Sequence, residues 1–179
     1  MSEDANKLCR LKLGMYKAAR ESDDDFRRHG ERAYFGISSW VQFADYIGIL
    51  AENKRGRGLP PGWSAYELNV LLSPAGDILC LGQLRYGDGH DNITWAGHIG
   101  YTVPPSLRGN GYAKEFLRLS LERAWELDFD RAMLTCDLDN HISRHVIESG
   151  GGIYAGKYLS AEYQKHQYWF YNPKDSEKE

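Results

Sequence analysis

Residues 101–113 constrain the chain most: Tyr-Thr-Val-Pro-Pro-Ser-Leu-Arg-Gly-Asn-Gly-Tyr-Ala. An apolar run ends there, and Pro104 and Pro105 stop it and set a turn. Gly109 and Gly111 then lead into Ala113, Phe116, Leu117, Leu121 and Ala124, an apolar stripe at three–four spacing that specifies a helix. Glycines allow the backbone to approach a ligand closely. The first N–H groups of a helix have no partner within it, and with the helix dipole they form a ready site for phosphate. Arg108 adds a planar cationic fork at the rim. The segment therefore asks for a strand–turn–helix unit that cradles a phosphate. It is not a P-loop, because no Gly-Lys-Ser or Gly-Lys-Thr follows. Nor is it the dinucleotide fingerprint: the third glycine is displaced, and no acidic residue closes a second strand at the required spacing.

The pattern around this unit predicts an α/β chain with a mixed sheet. Residues 8–15 alternate loosely and are expected to form a first strand. Residues 21–30 are charged and suggest a solvated helix, begun by the Asp23-Asp24-Asp25 run. Ser38 and Ser39 offer caps for a second helix with Val41, Ala44, Ile47 and Ala51 on one face. Residues 53–62, rich in Gly and Pro, form a loop. Three strands are expected next, over 65–72, 78–86 and 93–103, with turns at 73–77 and 87–92. After the helix that follows the cradle, residues 131–137 form a short apolar strand of the buried parallel type. Asn140 caps a helix reaching to Ser149, where Gly150-Gly151-Gly152 ends it; a last strand over 168–172 precedes a charged tail. At 179 residues the whole chain, 1–179, is expected to be one domain.

A net charge of −3 gives no case for nucleic-acid or membrane binding. No apolar run approaches the roughly 18 residues that a membrane helix needs. The start of the chain, Met1 to Asn6, lacks a basic head followed by an apolar stretch, so no signal peptide is expected. Cys9, Cys80 and Cys136 are odd in number and lack metal-ligand spacing; Cys80 and Cys136 lie in apolar runs and are expected to be buried hydrophobes. Together these point to a reducing, cytoplasmic setting. No His/Asp/Glu spacing argues for a metal.

Arg108-Gly109-Asn110-Gly111-Tyr112-Ala113 resembles the Arg/Gln-x-x-Gly-x-Gly/Ala motif of the GNAT N-acetyltransferase superfamily. His98-Ile99-Gly100-Tyr101 and Thr135-Cys136-Asp137, with Asn140 and Ser143 after it, look like that family's fourth strand, fifth strand and following helix. The closest flavour is an uncharacterised bacterial group of predicted acetyltransferases. The resemblance covers residues 65–172 well and the first ~60 loosely. It implies the GNAT fold: a mixed, mostly antiparallel sheet of about six to seven strands flanked by helices. It also implies acetyl-CoA as co-substrate and direct acetyl transfer to a primary amine of a small molecule or peptide. Backbone of Tyr101, Thr102 and Val103 would pair with the pantetheine arm, backbone of Arg108, Gly109, Asn110, Gly111, Tyr112 and Ala113 would hold the pyrophosphate, and Asn140 and Ser143 would touch the arm near its thiol. Asn140 and Ser143 are equally readable as ordinary helix-cap residues. The resemblance leaves open pairing into a homodimer.

Direct transfer benefits from a base for the amine, because an unperturbed lysine-like amine has a pKa near 10.4. His98, two residues before Gly100, is the first candidate and Glu67 the second; each also reads as a structural residue. The departing thiolate benefits from an acid. Many relatives carry a tyrosine seven residues after the asparagine; Ile147 stands there in this chain, which leaves Tyr154, Tyr158, Tyr163 or Tyr168, or departure without help. Trp40, Tyr46, Trp63 and Tyr66 would line an acceptor groove or pack in the core. A non-catalytic acyl-CoA-binding sensor or structural module is the alternative reading.

Overall fold

A computed structural model describes residues 5–88 and 90–175. Its elements run β1 (Lys7–Arg10), α1 (Tyr16–Arg28), α2 (Trp40–Asn53), β2 (Tyr66–Leu72), β3 (Ile78–Arg85), α3 (Asp91–Ala96), β4 (Ile99–Thr102), α4 (Tyr112–Glu126), β5 (Arg131–Asp137), α5 (His141–Ser149), β6 (Ile153–Leu159) and β7 (Gln164–Tyr171). The seven strands form one sheet in the order β1-β2-β3-β4-β5-β7-β6. Every pairing is antiparallel except β4 with β5. The expected mixed, mostly antiparallel sheet with flanking helices is the one observed.

Alternation along the strands divides the core in two. Leu68, Val70 and Leu72 of β2 face α1 and α2, packing with Ala19, Phe26 and Phe43. On the other face, Phe116, Leu117 and Leu121 of α4 and Val146 and Ile147 of α5 cover Ile99, Leu134 and Tyr168. The stripe read for α4 is thus its core face. In α2, Ser39 caps the helix as expected, its Oγ accepting from Gln42 N–H at 3.2 Å. The buried face differs: Phe43 is fully buried with Ile47 and Leu50 beside it, while Val41 is 63% exposed.

Four expectations are corrected. The first strand is only Lys7–Arg10, and Leu13–Met15 turns as a 3₁₀ helix. The first helix begins at Tyr16, which puts the acidic run in its middle rather than at its start, and the run is not a solvated face. Asp23 is fully buried and accepts from the N–H groups of Phe35 (2.8 Å) and Ile37 (3.1 Å). Residues 93–103 are not one strand. Residues 91–96 coil into α3, and Gly97 ends that helix at φ +69, donating its N–H to Ile93 O. A side chain at Gly97 would also meet Met133 O at 2.7 Å, so the exit from α3 requires glycine twice over. Finally, the last strand begins at Gln164 and has an edge partner, β6, that the pattern does not predict. The start of the chain falls partly on residues 1–4, and part of the expected turn at 87–92 (Gly89) and of the charged tail (residues 176–179) also lies outside the described residues.

Candidate active site

The parallel strands β4 and β5 share one register pair, Ile99 with Leu134. Below it they are tied together, since His98 N–H donates to Met133 O at 2.7 Å. Above it, residues 100–102 stay paired to β3 and residues 135–137 to β7. The strands therefore part, and the sheet opens as a wedge toward the cradle. On the α5 side, Tyr101 spans the opening, its hydroxyl sharing a 3.3 Å hydrogen bond with Ser143 Oγ. Burial pushes the Tyr101 phenol up to about 12 despite that bond. Ser143 is placed by Asn140, whose Oδ1 accepts from Ser143 N–H at 3.0 Å. Asn140 is thus a helix cap, and the cap sets the serine at the wedge.

The cradle sits at the mouth. Gly109 and Gly111 take φ +83 and +82, conformations that strain branched side chains, and each Cβ direction points into open space. Gly111 is the N-cap of α4, with Tyr112 and Ala113 in its first turn, so the helix N–H groups face that space. Asn110 turns inward, donating from Nδ2 to Leu107 O (3.0 Å) and Arg108 O (3.3 Å), and fixes the loop. Arg108 donates from Nε to Val103 O at 3.2 Å and forks onto Glu31 at 2.7 and 2.8 Å. Ser106 donates from its N–H and its hydroxyl to the buried Asp25, both at 3.0 Å. Two carboxylates from α1 and its following loop therefore hold the cradle's approach. Nothing local in the sequence announces either: the partners lie 81 and 77 residues away.

The two expected bases lie elsewhere. His98 is buried at the closed end of the wedge. Its Nδ1 accepts from Met133 N–H at 2.9 Å, which leaves its proton on Nε2, donating to Asp88 Oδ1 at 3.1 Å. Burial lowers its pKa, against the opposing pull of Asp88. Both ring nitrogens are engaged, so no lone pair is left for a substrate proton. Glu67 is on β2, separated from β4 by β3. It is buried and held by Lys54 Nζ at 2.7 Å, Asn69 Nδ2 at 3.3 Å and Arg123 Nε at 3.4 Å. Burial raises its pKa, but hydrogen bonds led by that from Lys54, with Asn69 contributing, outweigh it and hold the carboxyl below its ordinary value. Glu67 is an ion-pair centre remote from the wedge.

Ile147 is fully buried core. Among the tyrosines considered as acid, Tyr168 is buried and donates to Glu148 at 3.0 Å, Tyr163 stacks on Trp95 with centroids 4.3 Å apart, and Tyr154 is 51% exposed. Tyr101, read in the sequence only for its backbone, is the one whose hydroxyl crosses the wedge.

The aromatic set divides. Trp40 is exposed, and Trp63 packs edge-on against Trp95. Asp91, Trp95, Tyr158, Glu162 and Tyr163 line a recess of about 450 Å³ between α3 and the β6–β7 turn. Tyr66 accepts from Asn53 Nδ2 at 2.8 Å, and Tyr46 packs on Phe35.

The comparisons with known proteins agree with this geometry. A family model described as an acetyltransferase (GNAT) domain matches residues 4–153. No curated protein matches the sequence. Among solved structures, a ribosomal-protein-S5-alanine acetyltransferase from Vibrio fischeri superposes with a TM-score of 0.70 at 14% identity, covering 95% of this chain and 98% of that one. RimL, a ribosomal L7/L12 α-N-protein acetyltransferase in complex with coenzyme A, gives 0.68 at 15% identity, covering 93% of each chain. Spermidine N-acetyltransferase from Vibrio cholerae, in complex with coenzyme A and spermine, gives 0.61 at 14%, covering 93% of this chain and 95% of that one. With a family model spanning most of its length and its wedge-and-cradle sheet, the chain belongs to the GNAT acetyltransferase family.

Proposed function

We propose that this acetyltransferase moves an acetyl group from acetyl-CoA directly to a primary amine, with the pantetheine arm lying in the β4–β5 wedge and the pyrophosphate on the Arg108–Ala113 backbone. The observation that carries the reading is the parting of β4 and β5 above Ile99 and Leu134, opening onto a positive-φ glycine loop at the start of a 15-residue helix. Both features suit the cofactor: the strand edges offer backbone partners for an extended arm, and the loop offers N–H groups with free space above them.

The neutral amine attacks the thioester carbonyl, the C–N bond forms and the C–S bond breaks. A backbone N–H of β4 supports the oxyanion. Tyr101, kept protonated by its raised pKa, gives its proton to the leaving thiolate and regains one from solvent. The surplus amine proton goes to water, since both nitrogens of His98 are engaged. An acceptor α-amine, with a pKa near 8, sheds that proton more readily than a lysine or polyamine near 10.4. The acceptors named for the similar structures, a protein N-terminus and spermine, span both kinds. The test is release of free thiol from acetyl-CoA across α-amines, lysine side chains and polyamines. Amine-dependent release is expected. Tight acetyl-CoA binding with no release for any amine would instead establish the non-catalytic binding module.

A further inference from the structure

Arg85, at the end of β3, is a cation in the interior without an anion. Its Nη1 donates to the carbonyls of Ala96 (3.3 Å) and Gly97 (3.1 Å), and its Nη2 to Gln83 Oε1 at 2.9 Å. Among the described residues no carboxylate pairs with it, whereas Arg20, Arg27, Arg28, Arg55, Arg57, Arg108, Arg118, Arg123 and Arg144 all have one. A guanidinium has five N–H donors, and three are used here. Nε has no partner and is not sealed from solvent, so at least that donor reaches open space. Burying a cation without a counter-charge is costly, so an anion that reaches it gains a charge-assisted partner.

Its place gives that anion an identity. A Cβ built on Gly100 would come within 3.4 Å of Arg85 Nη1, so the guanidinium lies directly over the first β4 residue above the wedge apex. It is on the face of the sheet opposite Tyr101, Ser143 and the α4 cover, among the phenols of Tyr34 and Tyr66. This is the side from which an acceptor would reach a thioester held in the wedge. The carbonyls at the end of α3 fix the fork in position.

Resting on the transfer reading above, we infer that the acceptor is an amine carrying a carboxylate, which docks on Arg85 while the amine reaches the thioester. The neighbouring guanidinium also disfavours the ammonium form and so delivers the amine ready to attack. A polyamine would be repelled here and would depend on the recess lined by Asp91 and Glu162.

The experiment compares kcat/KM for paired acceptors: α-amino acids against their carboxamides, peptides beginning with Asp or Glu against those beginning with Asn or Gln, and spermidine. The carboxylate member should win by about 10- to 100-fold in at least one pair, the worth of a charge-assisted hydrogen-bond pair, and the pair that responds tells a free α-carboxylate from a side-chain one. In Arg85→Gln that ratio should fall to near one, and Arg85→Lys should restore only part of it, because an ammonium lacks the fork. A merely structural Arg85 would lower both members of every pair equally. Equal rates within all pairs for the unmodified enzyme, or a preference for spermidine, would overturn the inference while leaving acetyl transfer standing. No transfer to any acceptor, with acetyl-CoA still bound, would overturn the transfer reading and the inference with it.

Discussion

Gly111→Val weakens acetyl-CoA binding by at least ~100-fold and leaves the protein folded. Gly111 sits at φ +82, where a β-carbon costs about 1–2 kcal/mol and a branched one more. Nothing lies within 4 Å of a Cβ built there, so the valine's β-carbon enters open space, the space assigned to phosphate. Gly151 is the matched control. It has φ +94 and equally open surroundings, but it lies beyond α5. Gly151→Val carries the same backbone penalty and should leave affinity within about threefold. Titration of both variants with acetyl-CoA separates strain from occlusion; equal affinities would remove the cradle.

Tyr101→Phe lowers kcat by about 10²–10³ while acetyl-CoA affinity stays within about threefold. The magnitude is that of a general acid lost from a site whose other interactions persist. The phenylalanine keeps the contact with Phe116, whose ring centroid is 6.3 Å away, and gives up only the hydroxyl shared with Ser143. Because burial holds the phenol near 12, it stays protonated from pH 6 to 10, and kcat of the unmodified enzyme should show no fall on the alkaline side of that range. Steady-state kinetics across that range test both statements. A Phe variant with unaltered kcat would mean that the thiolate leaves without Tyr101.

What can be read from the chain depends on how far apart the interacting residues lie. Residues 108–126 are legible because glycine conformation, helix start and apolar stripe all lie within consecutive residues. The strand over 131–137 and the Asn140 cap are legible for the same reason. In contrast, α3 is masked by Trp95, Gly97, Ile99 and Tyr101, whose spacing by two mimics a strand across a six-residue helix and the glycine that ends it. The edge strand β6 buries none of its side chains fully, so it lacks the one-sided alternation that marks a half-buried strand. The site divides likewise. Its backbone cradle is local and readable. The duties of Asp25, Glu31, His98 and Arg85 are set by partners on other elements, and an isolated carboxylate, imidazole or guanidinium in a sequence does not state its partner. Even His98, the first candidate base, is used at the closed end of the wedge to hold the Met133 N–H.

Thermal unfolding with and without acetyl-CoA asks whether the wedge and cradle take this ligand. At about a hundred times the dissociation constant, binding adds ~2.7 kcal/mol, which for a chain of this size raises Tm by roughly 5–11 °C. That shift is expected with acetyl-CoA, and none with ATP at the same concentration. No shift with acetyl-CoA, or an equal shift with ATP, would contradict that expectation.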